Sequence, residues 1–506
     1  MTSNTSANPS RFAAKAARKW RVMGRAALAA AALGLAACAD LQGITPAAVL
    51  RDASVLGLKA ATKATQDAQP PGPVAAEWWR DFGDAQLNTL VAQAIANNPS
   101  LKLAQARLAR AQSATLLASA SASPQLYAEG NLAHQQFSKN GLIPPQPAGA
   151  VADTGTLQLS GSWELDFFGK NRAALDAAVG HANAAQADAQ AARVLLASSL
   201  ARSYFQLLRL KSQIALGQAI LAQREATLGL VRERVEAGLD TRLELKLSEG
   251  ALPEMRGQID ALQEQLDLAQ NALAALLGES KLPFALANHA LLATNNIANS
   301  NAIPSDLLGR RADIMAARWR VEAASRDVAY AKTQFYPNLN LMAFAGFSSI
   351  GLDRLLDPGS VQWGVGPALR LPLFEGGRLR ANLAGKTADY DAAVESYNAT
   401  VIDAIHDVAD QLVSIKAIVR QQAHQQAAQE AAEQALDIAV QRYRAGLGTY
   451  LHVLAAQTPV FNQRRLGLDL AARALDAQVA LIRAIGGGYQ AGPNSFPPSS
   501  RQASTP

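Results

Sequence analysis

The stretch Thr156-Leu157-Gln158-Leu159-Ser160-Gly161-Ser162-Trp163-Glu164-Leu165-Asp166-Phe167 decides the fold. Leu157, Leu159, Trp163, Leu165 and Phe167 alternate with Gln158, Ser160, Ser162, Glu164 and Asp166, so an extended chain carries an apolar and a polar face. The alternation returns where Val361, Trp363, Val365, Leu369, Leu371 and Leu373 interleave with Gln362, Gly364, Gly366 and Arg370. Partner strands begin at Gln125 and Asn338, with Leu126 and Ala128, then Leu339, Leu341 and Ala343, on the apolar side. The expected strands are 125–134, 156–167, 338–348 and 361–373. Segments of about ten residues with one greasy and one polar face are the pattern of a water-filled membrane β-barrel. A half-buried soluble sheet shares that alternation. The two tryptophans on the apolar face favour lipid, because aromatic side chains gather at the membrane interface.

Working outward, the strands prove to belong to a chain written twice. Leu101, Ala104, Arg107, Ala111, Ala118, Pro124 and Leu126 recur as Ile314, Ala317, Arg320, Ala324, Ala331, Pro337 and Leu339. Leu165, Phe168 and Arg172 recur as Leu371, Phe374 and Arg378, and Ala237-Gly238-Leu239 as Ala445-Gly446-Leu447. Each copy opens with a helix, Pro99–Ser123 and Ile314–Tyr336, that stops at a proline. After its strands the period turns helical again. Tyr390, Val394, Tyr397, Val401, Val408, Leu412, Ile415 and Val419 form a heptad seam, matched by Leu196, Leu200, Leu207, Ile214, Leu221, Leu228 and Val235. The proline-free runs 170–235 and 378–443 predict helices of about 100 Å each. Both end at Ala-Gly-Leu, where glycine can take the left-handed stop. Shorter helices return over 241–277 and 449–485. The organisation is therefore repeat 1 over 77–300 and repeat 2 over 301–486.

The 506 residues are 49% hydrophobic but only 6% aromatic and 17% charged, so alanine carries much of the apolar count. The formal charge of +6 is all leader: Arg11, Lys15, Arg18, Lys19, Arg21 and Arg25 precede residue 38 with no acid among them. Without them 41 basic residues face 41 acidic ones, and a nucleic-acid partner loses its support. The apolar run Ala26–Ala37 is too short to span a bilayer and suits a signal peptide over 1–37, with Met23 as an alternative start. Leu35-Ala36-Ala37-Cys38 resembles the lipobox of bacterial lipoproteins, which makes Cys38 the expected lipidation site. Asp40 is one place too late for the inner-membrane retention signal of such proteins, so the outer membrane is expected. Residues 38–76, with Pro70-Pro71-Gly72-Pro73, read as lipid anchor and tether, and 487–506 as a disordered tail.

Asn98-Pro99-Ser100-Leu101, Trp163-Glu164-Leu165-Asp166-Phe167-Phe168-Gly169, Pro304-Ser305-Asp306-Leu307-Leu308 with Arg311-Ala312-Asp313-Ile314, Leu371-Pro372-Leu373-Phe374 and Arg442-Tyr443-Arg444-Ala445-Gly446 carry a family resemblance over nearly the whole mature chain. It resembles the TolC-like outer-membrane efflux channels, in their NodT/OprM-type lipoprotein branch. The resemblance implies a homotrimer whose subunits contribute four strands each to a 12-stranded barrel in outer-membrane lipid, above a periplasmic α-helical tunnel. It further implies a passive duct for drugs or other toxic small molecules, docked to a periplasmic adaptor and an inner-membrane pump, with no cofactor. By motif, Tyr443 matches a tyrosine bonded to an acid of the neighbouring helix, and Glu244 falls at that acid's position. Leu451 matches an apolar constriction residue, and His452 is the nearest titratable group. Where the family often reads Leu-Asp-Ala-Gln-Arg, this chain reads Leu454-Ala455-Ala456-Gln457-Thr458 and has neither charge of the ionic lock that motif implies. Gly238, Leu239, Gly446 and Leu447 become the expected adaptor-docking tips.

Enzyme chemistry finds no foothold in the sequence. The six histidines, at 134, 181, 289, 406, 424 and 452, lack metal-ligand spacing, and Gly364-Val365-Gly366 sits inside a strand. Two alternatives remain: a channel of the same build that secretes proteins in a type I system, and a pore-less lipid-anchored coiled-coil scaffold. The four alternating strands argue against the scaffold.

Overall fold

The computed structural model describes residues 43–51, 74–140, 148–282 and 309–489. The expected leader, Cys38, the tail from residue 490 and the Pro304–Leu308 motif lie outside the described residues. Residues 487–489, expected in the disordered tail, are instead ordered: Gly487 N bonds Ile482 O (2.8 Å) and Tyr489 packs against Met315. In chain order the elements are α1 (Ala85–Asn97), α2 (Pro99–Ser121), β1 (Gln125–Gln136), β2 (Val151–Leu165), α3 (Lys170–Glu236), α4 (Arg242–Leu277), α5 (Ala312–Thr333), β3 (Asn338–Ile350), β4 (Val361–Arg370), α6 (Arg378–Arg444) and α7 (Tyr450–Ala484). They fall into two units. The first holds 112–180 and 321–393 with a short preceding segment; the second holds 49–111, 181–320 and 394–506, so far as these are described. No described helix is long and apolar enough to cross a membrane.

In the first unit the strands form one antiparallel sheet in the order β1-β2-β3-β4. Directly paired residues share a face. One face reads, row by row, Leu126-Gly161-Ala343-Val365, Ala128-Leu159-Ala345-Trp363 and Gly130-Leu157-Phe347-Val361, and continues through Trp163-Leu341-Pro367 and Leu165-Leu339-Leu369. The other carries Glu129, Asn131, Thr156, Gln158, Ser160, Ser162, Glu164, Asn340, Ser348 and Gln362, with Met342, Phe344 and Ile350 as its large apolar members. Gln362 Nε2 donates to Gln158 Oε1 (3.1 Å) across Gly346, whose missing side chain leaves the path open. The apolar face is uncovered: Leu126 is 69% and Trp363 75% exposed. Among the described residues, β1 and β4 each pair on one side only.

The strand limits differ from the expected ones. β2 begins at Val151 rather than Thr156, because backbone pairing with β1 continues after the apolar alternation has run out. The His134 and Asp153 side chains join there, Nδ1 to Oδ1, at 2.7 Å. β2 ends at Leu165, so Phe167 leaves the ladder. β4 ends at Arg370, leaving Leu371 and Leu373 outside, where Pro372 has no N–H to give. α2 and α5 also stop earlier than expected. Before Pro337 the amides of Gln334, Phe335 and Tyr336 bond three residues back, which tightens the last turn out of α-geometry. α5 packs Val328 and Ala331 against Leu383 of α6. Gly180 lies so near Ala323 that a Cβ there would stand 2.9 Å from the alanine Cβ.

The second unit is helical. Its largest core gathers Trp78, Leu87, Leu90, Val91, Leu200, Tyr204, Leu207, Leu273, Leu277 and Val479. Asp84 caps α1 by accepting from the amides of Gln86 (2.8 Å) and Leu87 (3.0 Å), and takes the Tyr204 hydroxyl at 2.7 Å. Asn98 caps α2 through Ser100 and Leu101 while its amide donates to Leu276 O (2.8 Å). The α6 seam is buried at Val394, Val401 and Val408, but Val419 is 60% exposed and Ile418 is buried instead. A 3.6-residue turn drifts off a strict heptad, and the buried stripe moves by one position. α4 and α7 carry internal prolines, Pro253 and Pro459.

Candidate functional site

Two helical hairpin turns, α3 to α4 and α6 to α7, stand close together in the second unit around Val231, Tyr443, Tyr450 and Val453, all buried. Both turns use the same backbone. Gly238 (φ +74°) and Gly446 (φ +75°) take the left-handed conformation, which glycine enters without a Cβ penalty. Gly238 N bonds Val235 O (3.0 Å) and Leu239 N bonds Arg234 O (2.8 Å). Gly446 N bonds Tyr443 O (3.0 Å) and Leu447 N bonds Arg442 O (2.8 Å). This doubled pattern satisfies the last carbonyls of each long helix. The leucine that follows is left in the open, Leu239 at 65% and Leu447 at 71% exposure.

The side chains differ. In the first turn Arg234 Nε reaches Asp240 Oδ2 at 3.0 Å, and both side chains are largely buried. The Tyr443 hydroxyl, from the other long helix, donates to the same carboxylate oxygen. The Arg234 guanidinium lies 4.6 Å from the Tyr443 ring centroid, a cation–π contact. Burial first, and then the bond to Asp240, push the Tyr443 phenol above its ordinary value, so it stays protonated. Arg234 is also raised, chiefly by its bond to Asp240. Thr241 and Glu244 form a capping box: Thr241 Oγ1 accepts from Leu243 N (3.2 Å), and Glu244 accepts from Thr241 N (2.9 Å) and the Thr241 hydroxyl. Those bonds, the Thr241 hydroxyl foremost, hold the Glu244 carboxyl below its usual range.

In the second turn Gly448 stands where Asp240 stands in the first, and His452 where Glu244 stands. Arg442, the counterpart of Arg234, bonds only the Leu447 carbonyl (3.4 Å) among the contacts described. Thr449 makes no side-chain cap, and its hydroxyl lies 3.5 Å from His452 Nδ1. Leu451 and its counterpart Leu243 are 56% and 66% exposed.

The structure thus brings Tyr443 to an acid, as the motif implies, but the acid is Asp240; Glu244 is occupied in capping its own helix. The difference is one of reach: Asp240 sits in the turn facing Tyr443, whereas Glu244 is in the first turn of α4 and closes back on Thr241. Sequence reading missed Asp240 and Arg234. The available signal was the mismatch between copies, Asp240 against Gly448, in an otherwise matched turn. Above the turns, Ser248 Oγ, Tyr450 OH and both amide atoms of Gln457 are buried with no hydrogen-bond partner among the described residues. No described group of histidine, cysteine and carboxylate side chains could hold a metal ion.

The sequence model of the outer membrane efflux protein family matches residues 90–279 and 303–487, one match for each copy. The chain is 30% identical over 429 residues to the multidrug resistance outer membrane protein MdtQ of Escherichia coli O157:H7, covering 82% of this chain and 88% of that one. It is 36% identical over 371 residues to the fusaric acid resistance protein FusA of Burkholderia cepacia, covering 72% and 69%. The crystal structure of the outer membrane protein VceC of Vibrio cholerae superposes with a TM-score of 0.77 at 38% identity, covering 83% of this chain and all of that one.

Proposed function

The chain belongs to the outer membrane efflux protein family and is an outer-membrane efflux channel, and from that premise we propose that three copies form a passive duct for toxic small molecules. The observation that carries the closed barrel is the sheet, with one largely apolar face and, among the described residues, two unpaired edges. Lipid offers nothing to bond an unpaired strand edge, so a membrane sheet must close on itself. One chain supplies four strands, too few to enclose a lumen; the number three follows the family resemblance, and the resulting twelve strands lie within the usual range of such barrels. The polar face, lined by Gln158, Ser160, Ser162 and Gln362, then faces water.

Substrate class follows the relatives, whose names speak of multidrug and fusaric acid resistance. Such a duct has no energy source of its own, so an inner-membrane pump and a periplasmic adaptor complete it. The exposed Leu239 and Leu447, each beside a helix-ending glycine, are the proposed adaptor contacts. Tyr443, Asp240 and Arg234 tie the two hairpins at the proposed constriction, beside Leu451 and His452. Glu244 serves the same end by fixing the start of α4. A lipid on Cys38 is the proposed second anchor. Native mass spectrometry of the purified protein in detergent tests the assembly. The expected species holds three chains; a monomer or dimer that keeps export activity would contradict it.

A further inference from the structure

The connection between β3 and β4 does more than turn the chain. Residues 351–360 form two short 3-10 turns, Leu352–Arg354 and Pro358–Ser360, pinned by internal bonds. Gly351 N bonds Asp153 O (2.7 Å), Ser349 Oγ bonds Gly351 O (2.8 Å) and Ser360 Oγ bonds Arg354 O (2.7 Å). The segment folds onto one particular face of the sheet. A Cβ built on Gly155 would stand 3.0 Å from a methyl of Leu352 and 3.0 Å from a methyl of Leu355. Gly155 shares its face with Leu157 and Leu159, the apolar one. In that row the strands offer only Leu132, Gly155 and Ser349, and the next row outward on the same face is His134 with Asp153. The loop leucines therefore fill a gap that the strands leave in the apolar face. Leu352 remains 44% and Leu356 70% exposed, while Asp353 and Arg354 are open to solvent.

We infer that residues 351–360 are a lipid-contacting collar, which seats Leu352, Leu355 and Leu356 among the acyl chains of the outward-facing leaflet and sets the depth of the barrel. The occupant is lipid because the leucines adjoin, across Gly155, the apolar rows of Leu157 and Leu159, which the barrel reading places in lipid. An apolar side with charged groups beside it suits the boundary between acyl chains and headgroups. Asp353, Arg354 and Asp357 supply those charges.

The inference rests on the barrel reading, so its test carries a control for that reading. Nitroxide labels are placed at Leu356→Cys, at Trp363→Cys on the apolar face and at Gln158→Cys on the polar face. The protein is reconstituted in phosphatidylethanolamine–phosphatidylglycerol vesicles, and the unsubstituted chain, with Cys38 alone, gives the blank. Collision rates with oxygen, which prefers lipid, are compared with those of a water-soluble nickel chelate. The ratio at Leu356 should match that at Trp363 and exceed that at Gln158 several-fold. A ratio at Leu356 equal to that at Gln158, with Trp363 still in lipid, overturns the collar and leaves the barrel. Shielding of Leu356 from both reagents, as a protein partner would cause, also overturns it. A water-exposed Trp363 overturns both.

Discussion

The two hairpin turns are one backbone solution with two sets of side-chain ties. Both close on a left-handed glycine and the same pair of bonds back to the long helix. Only the first adds a buried ion pair, a tyrosine reaching across from the other long helix, and a full capping box. The second has Gly448 and His452 at the matching positions and an uncapped Thr449. The lesson is that chain geometry is common to both copies while the ties are not. In the proposed duct, the first hairpin is the more firmly tied and the second the more easily moved.

The largest expected effect comes from removing the shared acid. Asp240→Ala leaves Arg234 and the Tyr443 hydroxyl without their partner and should loosen the first turn by about 2 kcal/mol. Amide exchange at residues 238–245 should then speed up about 30-fold. Gly448→Asp, which gives Arg442 an acid, should slow exchange at the second turn. Equal exchange at the two turns in the unsubstituted protein would break the comparison.

The glycines test the common part. Gly238→Ala and Gly446→Ala meet no atom within 4 Å, so each pays only for the left-handed backbone, about 1 kcal/mol. The two costs, read from the same exchange measurement, should agree. Unequal costs would mean that the backbones differ in solution.

The caps give the smallest effect and separate the copies again. Thr241→Ala should lose about 1 kcal/mol and Thr449→Ala only a few tenths, since Thr449 caps nothing. The Glu244 half of the box adds an acid dependence. Its folded-state pKa is lowered, so its contribution is whole above the ordinary value of 4.5 and fades as pH falls through the lowered one. Exchange at the start of α4 should rise in acid; the matching position at the start of α7 holds no carboxylate.

Much of the fold was legible because period carries it. Alternation marked the core of each strand, and the uninterrupted runs marked α3 and α6 nearly to the residue. Strand ends were not legible where pairing outlasts the apolar signal, as at His134 and Asp153, or where a proline ends the ladder ahead of the apolar pattern, as at Leu371 and Leu373. The site was half legible. Tyr443 and the glycines stand in local motifs, but its acid lies in the other hairpin, and no spacing rule chooses between Asp240 and Glu244. The collar was not legible at all, since Leu352 and Leu355 matter through a glycine that only the sheet register brings beneath them.

Everything proposed for the channel depends on which face of the sheet meets lipid. Leu159 and Ser160 are neighbours in β2 on opposite faces, so an arginine at each is the most direct test. The measurement is the fraction of membrane-inserted, heat-modifiable oligomer. Leu159→Arg should lose about 2–4 kcal/mol of assembly near the membrane midplane, while Ser160→Arg, facing the lumen, should assemble as the unsubstituted chain does. Equal assembly of the two variants, or loss in Ser160→Arg alone, would contradict the assignment and with it the duct.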